Sequence, residues 1–114
     1  HMAANDHEKK RKIEAAHNYY GRFDNVFTGP GLVKNGMIKP LPCKTPIEEL
    51  GKSLLICTRQ EMIDKLEPYA ELGIDRVILN INFGLDANET LDTIEAFAEN
   101  VMPHFITNPT IAAE

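Results

Sequence analysis

Two asparagines, Asn80 and Asn82, stand two positions apart in the run Val77 to Phe83 and therefore share one face of any strand that this run forms. Sites in parallel sheets gather at the C-terminal ends of strands, and two amides there could hydrogen-bond a cofactor ring or a substrate. The competing account is that they satisfy loop backbone where the strand ends. Tyr19, Tyr20 and Arg22 form a second group, able to meet an aromatic or anionic ligand, with simple packing as the alternative.

Other chemistries find no residues to carry them. His7, His17 and His104 have no ligand partners at useful spacing, and Cys43 and Cys57 are too far apart for a zinc knuckle, so no metal site is expected. His104, just past a helix C-terminus, reads as a charge favoured by the helix dipole. Neither a hydrolase elbow nor a Walker loop is present. The Gly29-Pro30-Gly31 triplet matches a phosphate cradle in composition alone, without the strand or the lysine such a cradle needs. A net charge of −5 argues against nucleic acid as a partner. No apolar run approaches the ~18 residues of a membrane span, and no signal peptide is seen, so a cytoplasmic location is expected. His1-Met2 reads as a remnant of cloning.

The elements that must position these residues centre on 54 to 84. Leu54 to Cys57 is a short apolar run, as in a strand covered on both faces. Thr58 with Glu61 fits a capping box that opens a helix, on which Met62, Ile63, Leu66, Tyr69, Ala70 and Leu72 form one stripe. Gly73 suits the left-handed end of that helix. Val77 to Phe83 then alternates, with Val77, Leu79, Ile81 and Phe83 on one side and Ile78, Asn80 and Asn82 on the other. A strand–helix–strand crossover of this kind points to the α/β class.

Around this unit the sequence predicts a charged helix over 3–20 and a long loop over 21–45, a possible lid with too many apolar side chains for a solvated linker. A short helical turn over 46–53 follows, with Thr45 as cap and Pro46 at the first helical position. A second helix is capped by Asp86 and Glu89 and buries Leu91, Ile94, Ala98, Val101 and Met102, with Phe97 on its margin; Pro103 ends it. Residues 46–105 thus form a βαβα segment, and 106–114 a mobile tail.

The run Ile56 to Gly84, followed by Glu89 to Phe105, resembles the closing segment of the luciferase-like, flavin-dependent monooxygenases. The matching features are Thr58-x-x-Glu61-Met62-Ile63-x-x-Leu66, Gly73-Ile74-Asp75 and Val101-Met102-Pro103; residues 18–31 resemble a preceding loop in one branch. The resemblance implies the last two strand–helix units of a partial (β/α)8 barrel, a fold that takes about 250 residues when whole. It implies reduced FMN, or a deazaflavin in some branches, acting with O2 on a small organic substrate, and a flavin reductase as partner. Asn80 and Asn82 would line the pocket, with Tyr20 and Arg22 at the root of the lid; no catalytic residue carries over. Much of the family's flavin-phosphate site comes from earlier strands, so this chain alone is expected to be inactive, to bind no cofactor and to form a homo-oligomer through open strand edges. The alternative is a non-catalytic α/β interaction or oligomerisation module.

Overall fold

The computed structural model describes residues 1–106. Helix α1, Asp6–Phe27, is capped by Asn5, whose side chain accepts the Glu8 N–H at 2.9 Å, while the Glu8 carboxylate accepts the Ala4 N–H at 2.8 Å. The helix expected to stop at Tyr20 continues for seven more residues, since no proline intervenes and a single interior glycine costs only about 1 kcal/mol. That glycine has a second use. The Leu41 N–H donates to Gly21 O at 3.0 Å, and a Cβ on Gly21 would lie 2.3 Å from Leu41 O.

The segment expected as a loop over 21–45 is therefore helix in its first part, and its middle is a hairpin. Strands β1, Val33–Lys34, and β2, Met37–Ile38, pair antiparallel with Val33 opposite Ile38. Asn35 (φ 53°) and Gly36 (φ 73°) supply the two left-handed positions that a tight two-residue turn requires. The buried Asn25 fastens this segment to α1: its amide donates to Lys39 O and Leu32 O, and its Oδ1 accepts the Gly31 N–H at 3.0 Å.

Helix α2, Ile47–Ser53, begins one residue later than expected. Pro46 is extended (ψ 144°) and itself takes the cap position, so Thr45 is too far upstream to cap; its carbonyl instead bonds His17 Nε2 at 3.0 Å. Helix α3, Arg59–Glu71, starts at Thr58, where Glu61 Oε2 accepts both the Thr58 N–H and its hydroxyl at 3.0 Å. Gly73 (φ 73°) closes it: the Gly73 N–H reaches Ala70 O at 3.0 Å and the Ile74 N–H reaches Tyr69 O at 3.2 Å. Met62, Ile63 and Leu66 are buried as the stripe requires, whereas Tyr69, Ala70 and Leu72, on the same stripe, lie in solvent.

Helix α4, Ala87–Asn100, is capped by Asp86, whose Oδ1 accepts the Asn88 N–H at 2.8 Å. Glu89 does not complete a capping box there; it pairs with Arg11 of α1. The buried face is also rotated from the expected stripe. Thr93 and Val101 are buried, with Ala96 and Phe97 half-buried, while Leu91 is 61% exposed and Ile94 47%. The chain turns at Val101, and a short α5, Met102–Ile106, contains Pro103, so the segment after α4 is helical rather than irregular. Most of the tail expected over 106–114 lies outside the described residues.

The core is small: Met2, Cys57, Met62, Ile63, Leu66 and Val101, with Leu55, Ala96, Phe97 and Phe105 against it. His1-Met2, read as a remnant of cloning, is built into this structure. Met2 forms a parallel bridge with Cys57, through Cys57 N–H to His1 O at 3.0 Å and Ala3 N–H to Cys57 O at 2.8 Å. That bridge is the sole β-pairing of the Leu54–Cys57 run among the described residues, and 77–83 pairs with nothing. Ile78 is 91% exposed and Val77 52%, where a strand covered on both faces would bury both.

Candidate functional site

A cavity of about 440 Å³ opens between the middle of α1 and the inner face of α4, with residues 53–56 and 78–83 as its other walls. Two successive residues of α1, Tyr19 and Tyr20, stand about 100° apart around the helix and present two rings to it. Their centroids are 5.8 Å apart at 83°. Phe23 meets the Tyr19 ring edge-on at 4.8 Å, and Phe27 stacks on Phe23 at 5.9 Å, so an aromatic row holds the tyrosines in place from below.

Asn80 and Asn82 line the same cavity. The two amides differ in availability. Asn82 Oδ1 accepts the Gly84 N–H at 3.0 Å, so its acceptor closes the turn into α4, as the competing account of the pair expects. Asn80 makes no hydrogen bond among the described residues and keeps its full capacity for a ligand. The structure thus brings together four of the five residues singled out from sequence: Tyr19, Tyr20, Asn80 and Asn82. Arg22 is not among the lining residues. It lies about 200° around α1 from Tyr20, and its guanidinium contacts Met37 Sδ at 3.8 Å.

Ile94, Ala98 and Met102 complete the wall on the α4 side. These residues belong to the stripe expected to be buried core. The helical period revealed the stripe, but periodicity cannot tell a face packed on protein from one that borders a cavity.

No Lys, Arg, Asp or Glu lines the cavity. The backbone nitrogen of His1 donates to Leu55 O at 2.5 Å. The His1 ring shares a 2.6 Å hydrogen bond with the Thr93 hydroxyl and meets Phe83 edge-on. Behind the wall, burial pushes the Cys57 thiol up, away from the thiolate a nucleophile would need. Among the described residues no three His, Cys, Asp or Glu side chains converge as a metal site would require.

These residues suit one half of a flavin nucleotide. Flat apolar and aromatic walls with neutral amides match the ring and its hydrogen-bonding edge, and the volume lies within the range of about 300–1,000 Å³ usual for ligand pockets. For a phosphate the wall offers no guanidinium or lysine ammonium.

Comparison with known proteins gives a related indication. No family model matches the chain, and no solved structure matches it. The chain is similar to the oxygenase component of the flavin-dependent trigonelline monooxygenase of Acinetobacter baylyi, with 28% identity over 102 residues that cover 82% of this chain. It spans 27% of that protein's length. No helix among the described residues is long and apolar enough to cross a membrane.

Proposed function

We propose that the chain is the closing segment of the oxygenase component of a flavin-dependent monooxygenase, folded in the whole protein as the last two strand–helix units of a (β/α)8 barrel. The observation that carries this reading is the similarity, over 82% of the chain, to a flavin-dependent oxygenase component. The exposed Val77 and Ile78 support it, because an inner barrel strand deprived of its neighbours would leave these side chains bare.

In this reading the cofactor is FMN, kept reduced by a separate flavin reductase, and when bound it supplies the activation of O2 for oxidation of a small organic substrate. The chain's own contribution is to hold the ring edge through Asn80 and to exclude water with Tyr19, Tyr20 and the α4 face. No residue of 21–45, the segment read as a possible lid, lines the cavity, and Asn25 fastens that segment to α1. The protein works in the cytoplasm, and this chain alone is inactive.

The test is oxygen uptake by the product of the complete reading frame, supplied with a flavin reductase, NADH, FMN and candidate aromatic substrates. Substrate-dependent uptake coupled to a hydroxylated product is expected. A reading frame that encodes no further strand–helix units, with a product that takes up no oxygen, would overturn the proposal. The exposed edge at 77–79 favours a second reading, a non-catalytic module that self-associates there into a homo-oligomer. Sedimentation of this chain as a monomer at high concentration would eliminate it.

A further inference from the structure

We infer that the exposed aromatic face at the C-terminal end of α1 is a docking surface for a second copy of this chain, with the two copies related by a two-fold axis that runs along α1.

Tyr20, Phe23, Val26 and Phe27 recur at helical spacing and cover an arc of about 120° on α1. All four are exposed, Phe27 by 74% and Val26 by 50%. Their rings are already set against one another: Phe27 stacks on Phe23 at 5.9 Å, and the Tyr20 centroid lies 6.3 Å from that of Phe23. Little side-chain freedom is left to lose on docking. Aromatic side chains are the usual anchors of protein interfaces, and a soluble domain seldom leaves several of them together in water. Only Tyr20 of the four borders the cavity, so this face is distinct from that site.

Area and charge both point to a second copy. Met37 of β2, exposed and in contact with the Arg22 guanidinium, extends the face, which then offers on the order of 500 Å² of apolar surface. A standard interface buries about 800 Å² on each partner, of which about 450 Å² is apolar. The face is therefore large enough for a stable pair. Its two margins carry opposite charges: Asp24 lies about 90° to one side of the centre of the stripe and Arg22 about 110° to the other. Neither forms an ion pair among the described residues. A two-fold axis along α1 sets the Asp24 margin of each copy against the Arg22 margin of the other, at heights that differ by only about 3 Å. Antiparallel pairing would instead oppose Asp24 to Asp24 and Arg22 to Arg22, and like charges across an interface reject it.

The test is sedimentation equilibrium of this chain from about 10 to 300 μM, with every variant confirmed as folded by circular dichroism. The native chain is expected to be a dimer at the upper end of that range, and Phe27→Asp to weaken association at least about tenfold. Should Phe27→Asp fail to fold, Val26→Asp serves the same purpose. Asp24→Arg and Arg22→Asp each weaken association when alone. An equimolar mixture of those two variants restores it, because an acidic margin again meets a basic one on both sides.

A monomer throughout the range overturns the inference. So does a dimer that Phe27→Asp leaves intact and Ile78→Asp disperses, which would place self-association at the exposed 77–79 edge. A dimer lost in Phe27→Asp but not restored by the mixture overturns the two-fold arrangement and upholds the face. A complete reading-frame product that is monomeric while this chain is dimeric assigns the face to another part of the same polypeptide, and overturns the inference as well.

Discussion

Gly21→Ala provides a sharp test of how the Leu41 segment sits on α1. In the interior of a helix this substitution ordinarily stabilises by about 0.8–1.0 kcal/mol, because alanine loses less backbone freedom on folding. Here the added Cβ would lie 2.3 Å from Leu41 O and 3.4 Å from Cys43 N. Both neighbours are backbone, and Leu41 stands between Pro40 and Pro42 with its N–H bonded to Gly21 O, so the segment has little freedom to retreat. Overpacking costs about 1–3 kcal/mol and loss of the Leu41 bond about 0.5–1.5 kcal/mol. Set against the propensity gain, the net effect is destabilisation by about 1–3 kcal/mol. Gly51→Ala is the control: its Cβ would meet the Ile13 side-chain end at 3.2 Å, which can give way, so that variant is neutral or slightly stabilised. Urea titration followed by circular dichroism, at unchanged m, measures both. A rise in midpoint for Gly21→Ala equal to that for Gly51→Ala would show that 40–43 does not pack on the helix.

Further expectations follow from single groups. The Lys9 ammonium, together with the Thr58 N–H, holds the Glu61 carboxyl down at about 2 against an ordinary 4.5. The unfolded chain therefore binds the proton first, and the stability this cluster contributes is complete above about pH 4.5 and lost as pH falls towards 2. Melting curves between those limits should be steeper in pH for the native chain than for Glu61→Gln. Leu66→Ala, in the small core beside Met62 and Ile63, should lower stability by about 2–5 kcal/mol, and a change under about half a kilocalorie would mean the α3 stripe is not buried. Asn25→Leu strands Lys39 O and the Gly31 N–H and should cost about 1–3 kcal/mol; the matching rise in amide exchange should be confined to 31–39.

What could be read from sequence was mainly what local chemistry decides. Thr58 with Glu61, Asp86 and Gly73 act within one turn of themselves, and the boundaries they signal are where the helices begin and end. Asn35-Gly36 carries an equally local signal, the strongest short-range mark of a hairpin, but the strands it joins are only two residues long and show no alternating pattern in sequence. The extension of α1 past Tyr20 was hidden by Gly21, which looks like a breaker until Leu41 is seen lying against it. Asn80, Asn82 and Tyr20 border the cavity although the strand end and the helix–loop junction that single them out in sequence are absent: 77–83 pairs with no strand among the described residues, and α1 runs on to Phe27. Arg22 was grouped with them by adjacency in sequence, while helical geometry turns it away. The α4 stripe and the 77–83 run were legible as apolar faces, but what covers them was not. Burial depends on neighbours, and 77–83 has no strand partner among the described residues.

The central claim, that this chain closes the ring compartment of a flavin oxygenase, is tested most directly by titrating FMN fluorescence with the product of the complete reading frame, with and without Ala98→Phe. The account predicts saturable binding at micromolar protein that weakens at least about tenfold in the variant. Absence of flavin binding by the complete protein, or binding indifferent to Ala98→Phe, would contradict it.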